Sequence, residues 1–327
     1  MADLSIYTFD EYKEEYNKIF AGVYNDFKMR AMQDYKFELN PLEYDDFVKS
    51  TENNLIKCII LFEQDIPTGF LSYTDLISEA VELNIIHVIQ GEDTAAKRCA
   101  LLEKFLSDIR EIKGERVISY PILGVQEEIL PYIQNFDFKT VNQSVMSFNF
   151  NYKDVVSALC SEPLKRLNNG FEIKSWNDDY FYGATKLINE AFKDMNDSKF
   201  DTRFLSFEGT KDIIEKIVSG IYGKFLPDET KVLTYRDEII GICFANLTNP
   251  NIANIPLVAV NDNYRGKSFG KYLLKSVVMD INKLVLTGKI SLSEINASCD
   301  TDNKSAYKMY LGTGFKEVYS YKQAYKD

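Results

Sequence analysis

Apolar residues recur along this chain with two periods, two residues for strands and about 3.6 for helices, and the periods alternate in the same order twice. In the second half, Phe171–Trp176 predicts a strand, and Asn177 or Asp178 is placed to cap a helix running to about Phe192. A polar stretch, Asp194–Gly209, leads to a helix near Thr210–Tyr222. Lys231–Arg236 and Ile239–Leu247 predict a hairpin around Asp237-Glu238, and Ile255–Val260 a further strand. Gly270–Leu286 predicts a helix with Leu273, Leu274, Val277, Val278, Ile281 and Leu284 on one apolar face. A strand near Ser293–Cys299, a helix from Asn303 and a closing strand from Phe315 complete the half.

The first half follows the same plan. Leu4–Phe9 predicts a strand, Asp10–Tyr24 and Pro41–Lys49 helices, and Ile56–Glu63 with Gly69–Tyr73 a hairpin around Asp65-Ile66-Pro67. Leu83–Ile89 predicts a strand, Thr94–Ile112 an amphipathic helix, Arg116–Ile122 a strand, and then come a helix to Asn135 and a closing strand. Phe138-Lys139-Thr140-Val141 echoes Phe315-Lys316-Glu317-Val318 near the end of each half. Residues 151–170, with Pro163 and the turn Asn168-Asn169-Gly170, read as a connector between a domain over 1–150 and another over 171–327. The fold class expected is α/β, a mixed sheet flanked by helices, occurring in tandem.

Composition narrows the function. A chain of 327 residues exceeds the roughly 250–300 that one core serves, and 45% hydrophobic with 27% charged residues is ordinary globular composition. No apolar run approaches the ~20 residues of a membrane span, and the N-terminus lacks the blocks of a signal peptide, so a cytoplasmic protein is expected. Cys58, Cys99, Cys160, Cys243 and Cys299 are scattered, which argues against a disulfide framework or a zinc site. The single histidine, His87, sits in the apolar run Ile85-Ile86-His87-Val88-Ile89 and reads as a strand residue with a satisfied ring. Residues 1–160 hold 15 basic and 27 acidic residues, a net of −12, whereas residues 161–327 hold 23 and 22, a net of +1. An acidic half repels nucleic acid and anionic membranes and attracts cations.

The segment with chemical content is Leu257-Val258-Ala259-Val260-Asn261-Asp262-Asn263-Tyr264-Arg265-Gly266-Lys267-Ser268-Phe269-Gly270, a strand turning into a helix. Unpaired N–H groups and the positive dipole end make such a turn an anion site, and Arg265 and Lys267 add charge. Gly266 and Gly270 allow a pyrophosphate to approach the backbone. Some forty residues on comes Asn303-Lys304-Ser305-Ala306-Tyr307-Lys308-Met309-Tyr310-Leu311-Gly312-Thr313-Gly314-Phe315. The two segments together resemble the signature of the GNAT acyltransferases, an Arg/Gln-x-x-Gly-x-Gly/Ala loop followed by an Asn-x-x-Ala-x-x-Leu-Tyr-x-x-x-Gly-Phe helix. Arg265 and Gly270 match the loop, and Asn303, Ala306, Tyr310, Gly314 and Phe315 the helix. Ser268 replaces the loop's first glycine; in a left-handed conformation it would cost about 1 kcal/mol.

The resemblance, which covers residues 171–327, implies two tandem GNAT folds and acetyl transfer from acetyl-CoA to a primary amine, with no metal. It implies that the backbone of Val258 and Val260 binds the thioester and pantetheine arm. Arg265, Gly266, Lys267, Ser268, Phe269 and Gly270 would hold the pyrophosphate, Asn303 would contact the pantetheine region, and Tyr310 would protonate the departing thiolate. Tyr310 as a packed aromatic and Asn303 as a helix cap are the structural alternatives. For a general base, Glu294, Asp194, Asp197, Asp201 and a water relay stay open. In the first half, Glu92 and Asp93 stand where a pyrophosphate would lie and suit a self-capped helix instead. Ile133 and Asp137 stand where Tyr310 and Gly314 do, so this half reads as a degenerate copy. The acidic first half points to a small polycationic amine as acceptor, and the arrangement resembles tandem GNAT enzymes of antibiotic self-resistance, of the zwittermicin and paenilamicin type. A non-catalytic CoA-binding scaffold and another acyltransferase of cell-wall or thiol biosynthesis are the rival readings.

Overall fold

The structure, a computed structural model, describes residues 4–9, 17–34, 41–76, 80–110, 116–161, 167 and 170–327. Two compact units form: Met1–Val141 with Lys199–Asp201 and Tyr321–Asp327, and Asn142–Ser198 with Thr202–Ser320.

The first unit contains β1 (Leu4–Thr8), α1 (Asn17–Asp34), α2 (Tyr44–Glu52), β2 (Lys57–Glu63), β3 (Ile66–Thr74), β4 (Ala80–Val88), α3 (Thr94–Asp108), β5 (Val117–Ile122) and the short α4 (Leu130–Ile133). Part of the expected first helix, residues 10–16, lies outside the described residues. Strands β1 to β4 form an antiparallel meander, and β5 joins β4 in parallel over Ala80–Glu82. The C-terminal stretch Lys322–Lys326 then pairs antiparallel with β5. Helix α3 packs Leu101, Leu102 and Phe105 on one sheet face. Phe20, Tyr24 and Phe27 of α1 pack with Phe70 of β3.

The second unit begins within β6 (Lys139–Asn149). The expected connector carries a helix, α5 (Lys153–Ser161), whose Leu159 is buried in this unit's main core. Then follow β7 (Phe171–Ser175), α6 (Phe181–Phe192), α7 (Asp197–Phe200), α8 (Phe207–Val218), β8 (Lys224–Phe225), β9 (Lys231–Tyr235) and β10 (Glu238–Cys243). The unit continues with β11 (Asn246–Asn249), β12 (Ile252–Asn254), β13 (Val258–Val260), α9 (Phe269–Leu286), β14 (Glu294–Asp300), α10 (Lys304–Gly312) and the start of β15 (Lys316–Lys326), whose residues from Tyr321 belong to the first unit. Helix α8 starts three residues before its expected position because Ser206 Oγ accepts the N–H of Gly209 at 3.0 Å and caps it there.

Two expected strands differ from the prediction. The run from Ile239 breaks after Cys243 into β10 and β11; the expected strand Ile255–Val260 is ladder only over β13, Val258–Val260, and a further strand, β12, precedes it. Strands β7, β9, β10 and β13 make one sheet, while β12 pairs parallel with β14, which pairs antiparallel with β6. Pro256 lies in the break between β12 and β13, where a residue without an N–H cannot continue a ladder. Leu273, Leu274, Val277, Val278 and Ile281 of α9 are all fully buried against these strands, on the face the periodicity predicts.

Candidate functional site

The break at Pro256 opens the second unit. Strand β12 follows β14 as far as the bond from Ile255 N to Asn296 O, 2.9 Å. Beyond it the chain crosses to β10, while β14 continues beside β6. Bonds from Phe244 N to Leu257 O (3.0 Å) and from Asn261 N to Ile240 O (2.8 Å) set the phase of the β10–β13 ladder. In an antiparallel pair the bonded residues alternate. Leu257, Ala259 and Asn261 therefore direct their N–H and C=O groups to β10, and Val258 and Val260 direct theirs into the opening.

A turn over Asp262–Tyr264, begun by Asn261 Oδ1 accepting the N–H of Asn263 at 3.1 Å, carries the chain toward α9. Gly266 (φ +78) and Ser268 (φ +64) both take the left-handed conformation, Ser268 as the residue preceding the helix. The first helical bond runs from Tyr272 N to Ser268 O, 3.0 Å, so the N–H groups of Ser268 to Lys271 precede the ladder and face the loop end. Phe171, Tyr235, Tyr264 and Phe269 support the loop, with Phe269 5.0 Å from Phe171. Gly270 is a close-approach position: a Cβ there would lie 2.9 Å from Met309 Sδ of α10.

These elements enclose a cavity of about 360 Å³, a volume in the range of small-molecule sites. It is lined by Val258 and Val260, by Arg265, Gly266, Ser268, Phe269 and Gly270, and by Asn303. Lys267 is exposed and sits 5.0 Å over the Tyr264 ring. Arg265 pairs with Asp262 at 2.8 Å and donates from Nε to Val260 O at 3.4 Å. Asn303 lines the cavity and also caps α10, its Oδ1 accepting the N–H of Ala306 at 3.1 Å. Sequence reasoning missed Lys271, Ser305 and Lys308 in the lining. The signal was helical spacing: Ser305, Lys308 and Met309 share a face of the Asn303 helix.

Tyr310 is not itself a lining residue, although Ala306 and Met309 of the same helix are. It is 3% exposed in the unit's main core, edge-on to Phe315 at 5.3 Å. Burial first, then nearby Cys243, Cys299 and Asp197, raise its hydroxyl well above the ordinary tyrosine range.

The four candidate carboxylates separate. Glu294 accepts from Ser147 Oγ (2.5 Å) and Asn296 Nδ2 (3.1 Å), away from the lining. Asp194 lines a second hollow of about 300 Å³ with Glu190 and Asp262. Asp201 belongs to the first unit. Asp197 lines the main cavity.

The corresponding place in the first unit is filled. Strand β4 leaves β5 after Glu82, and the bond from Ile89 N to Thr68 O (2.9 Å) sets the phase that turns the N–H of Ile86 outward, as at Val258. There buried Gln126 accepts it through Oε1 at 2.8 Å, and Tyr120 donates to the same oxygen at 3.0 Å. Arg98 of α3, fully buried, pairs with Glu128. Ile133 is buried, and Asp137 (φ +61) takes the left-handed position that Gly314 (φ +100) holds in the second unit. The acidic self-cap expected at α3 does not form. Asp93 is itself left-handed (φ +59), which turns its side chain from the helix N–H groups, and Thr94 Oγ1 bonds back to Gly91 O at 2.8 Å instead. His87 is 2% exposed, with Nε2 2.9 Å from Asp26 Oδ2, and is the satisfied strand histidine the sequence predicts.

The architecture is that of the GNAT N-acetyltransferases, over the whole chain and in tandem. A GCN5-related N-acetyltransferase from Sphaerobacter thermophilus matches 99% of this chain and 95% of its own, at a TM-score of 0.66 and 12% identity. A tandem GNAT protein from the clavulanic acid biosynthesis pathway matches over 99% and 98%, at 0.59 and 11%. The glucosamine N-acetyltransferase region of a fungal multi-domain β-N-acetylglucosaminidase matches all of this chain, which spans 38% of that protein, at 0.63 and 11%. No protein-family model and no curated protein matches the sequence. Among the described residues, no helix is long and apolar enough to cross a membrane.

Proposed function

We propose that the chain is an acetyl-CoA-dependent N-acetyltransferase in which the segment over residues 171–327 binds and reacts the acyl donor. The observation that carries this is the opening between β13 and β14, where the peptide groups of Val258 and Val260 point toward a loop with free helical N–H groups. A pantetheine arm carries amides that such an edge can pair, and its pyrophosphate suits the helix N-terminus beside Arg265, Lys267 and Lys271. The donor supplies an activated acetyl thioester; this chain's residues bind and orient it.

Tyr310 is the proposed donor of a proton to the departing thiolate. Its burial holds the proton firmly, and a thiolate in an equally dry place gains basicity: burial pushes the Cys299 thiol up to about 12. The acceptor is proposed to be a small amine with several ammonium groups, in keeping with the −12 of residues 1–160. An amine-bearing antibiotic is the specific form we favour, from the resemblance to tandem self-resistance enzymes.

Release of CoA from acetyl-CoA in the presence of cationic amines tests the reading. Tyr310→Phe should lower turnover by about 10²–10⁴-fold and leave acetyl-CoA affinity unchanged. Acetyl-CoA binding without CoA release for any amine would favour the scaffold instead.

A further inference from the structure

Arg265 holds two partners, and both lie among the groups assigned above to the acyl donor. Its Nη2 pairs with Asp262 Oδ1 at 2.8 Å, and its Nε donates to Val260 O at 3.4 Å. The local turn brings this about. A bond from Arg265 N to Asp262 O, 3.2 Å, closes residues 262–265 and sets the two side chains side by side, just before the left-handed Gly266. Val260 O points into the opening, because the Asn261 N–H of the same peptide goes the other way, to Ile240 O on β10 at 2.8 Å. Arg265 Nε therefore sits on a carbonyl that an amide-bearing arm would pair with. Both contacts are weak. The ion-pair side chains are 44% and 73% exposed, and such a pair shifts an equilibrium by about fivefold at most. At 3.4 Å the bond to Val260 is long for N–H···O.

We propose that Asp262 and Arg265 form a strap across the donor site, which the donor displaces as it binds. This rests on the acetyltransferase reading above. The Asp262 carboxylate stands in for the pyrophosphate, and Arg265 Nε stands in for an amide N–H of the pantetheine arm. A pyrophosphate carries more charge than one carboxylate and can take the planar guanidinium through two bonds, so it draws Arg265 from Asp262. The same movement withdraws Nε from Val260 O and uncovers that carbonyl for the arm. The two ends of the donor are coupled through one side chain, and each strengthens the binding of the other. A molecule with the arm alone has to bind against the strap.

Pantetheine (the arm without phosphate) and ADP (the pyrophosphate without the arm) separate the two ends. Pantetheine is titrated by NMR and acetyl-CoA by calorimetry, both on the full chain. In the wild type, ADP should tighten pantetheine by about 2–5-fold. Arg265→Ala should weaken acetyl-CoA by about tenfold or more. The same variant should bind pantetheine about 2–5-fold tighter than the wild type, with no response to ADP. That gain also reports that the variant is folded. Asp262→Asn should tighten acetyl-CoA by about 2–5-fold. Asp194 lines the second hollow with Asp262 but is not paired with Arg265, so Asp194→Asn removes the same charge and should change acetyl-CoA affinity less than about 1.5-fold. Pantetheine binding that ADP leaves unchanged or weakens would overturn the proposal. So would an Arg265→Ala variant that gains nothing for pantetheine, or an Asp262→Asn variant no tighter for acetyl-CoA than Asp194→Asn. Failure of the wild type to bind acetyl-CoA would overturn the acetyltransferase reading instead.

Discussion

Ser268 holds a left-handed backbone immediately before α9, a conformation in which a Cβ costs about 1 kcal/mol. Its hydroxyl makes no capping bond. Ser268→Gly should therefore stabilise the loop by up to about 1 kcal/mol and tighten acetyl-CoA binding, measured by thermal melting and calorimetry. A loss of affinity would assign the hydroxyl a contact with the donor. His87 gives a second prediction. Burial holds its ring down at about 4, against the opposing pull of Asp26, compared with 6.5 when exposed. Because the folded value is lowered, the unfolded chain binds more protons below 6.5, and stability falls as pH drops from 6.5 toward 4. Between pH 7 and 5 this amounts to about 2 kcal/mol, which urea unfolding should detect and His87→Gln should largely remove. Both residues could be singled out in the sequence, Ser268 as a departure from a glycine position and His87 as a polar interruption of a strand. Their energetics could not, because φ at the one and burial at the other are set by the fold.

At the scale of elements, the loop into α9 and the Asn303 helix were legible because each needs particular residues at fixed spacing. The opening between β13 and β14 was not. Ile255–Val260 reads as one apolar strand, yet the chain from Ile252 pairs with β14 as far as Ile255 and with β10 only from Leu257. Pro256 was the available signal, since its missing N–H marks where the ladder fails. The first unit has the same divergence of β4 from β5, with Pro121 on β5 two residues past the last pair, Glu82 with Ser119. It is filled by Gln126 reaching back from the turn at Gly124–Ile129, a contact forty residues distant in sequence that no local pattern encodes. Glu92 and Asp93 predict a self-capped helix, and the cap they predict does not form. Asp93 contributes a left-handed turn rather than a side-chain cap.

For the whole molecule, the repeated order of elements placed two GNAT folds in one chain, and the proposal assigns the donor to the second, because Gln126 fills the corresponding opening in the first and Ile133 stands in the place of the tyrosine. The charge balance follows this division, net −12 over residues 1–160 and +1 over 161–327. Calorimetric titration of the full chain with acetyl-CoA tests this most directly, in the wild type and in Gly270→Glu. The substitution sends a carboxylate toward Met309 and into the lining of the cavity. One acetyl-CoA per chain, with binding abolished by Gly270→Glu, is the expected result. Two per chain, or binding that survives the substitution, would contradict it.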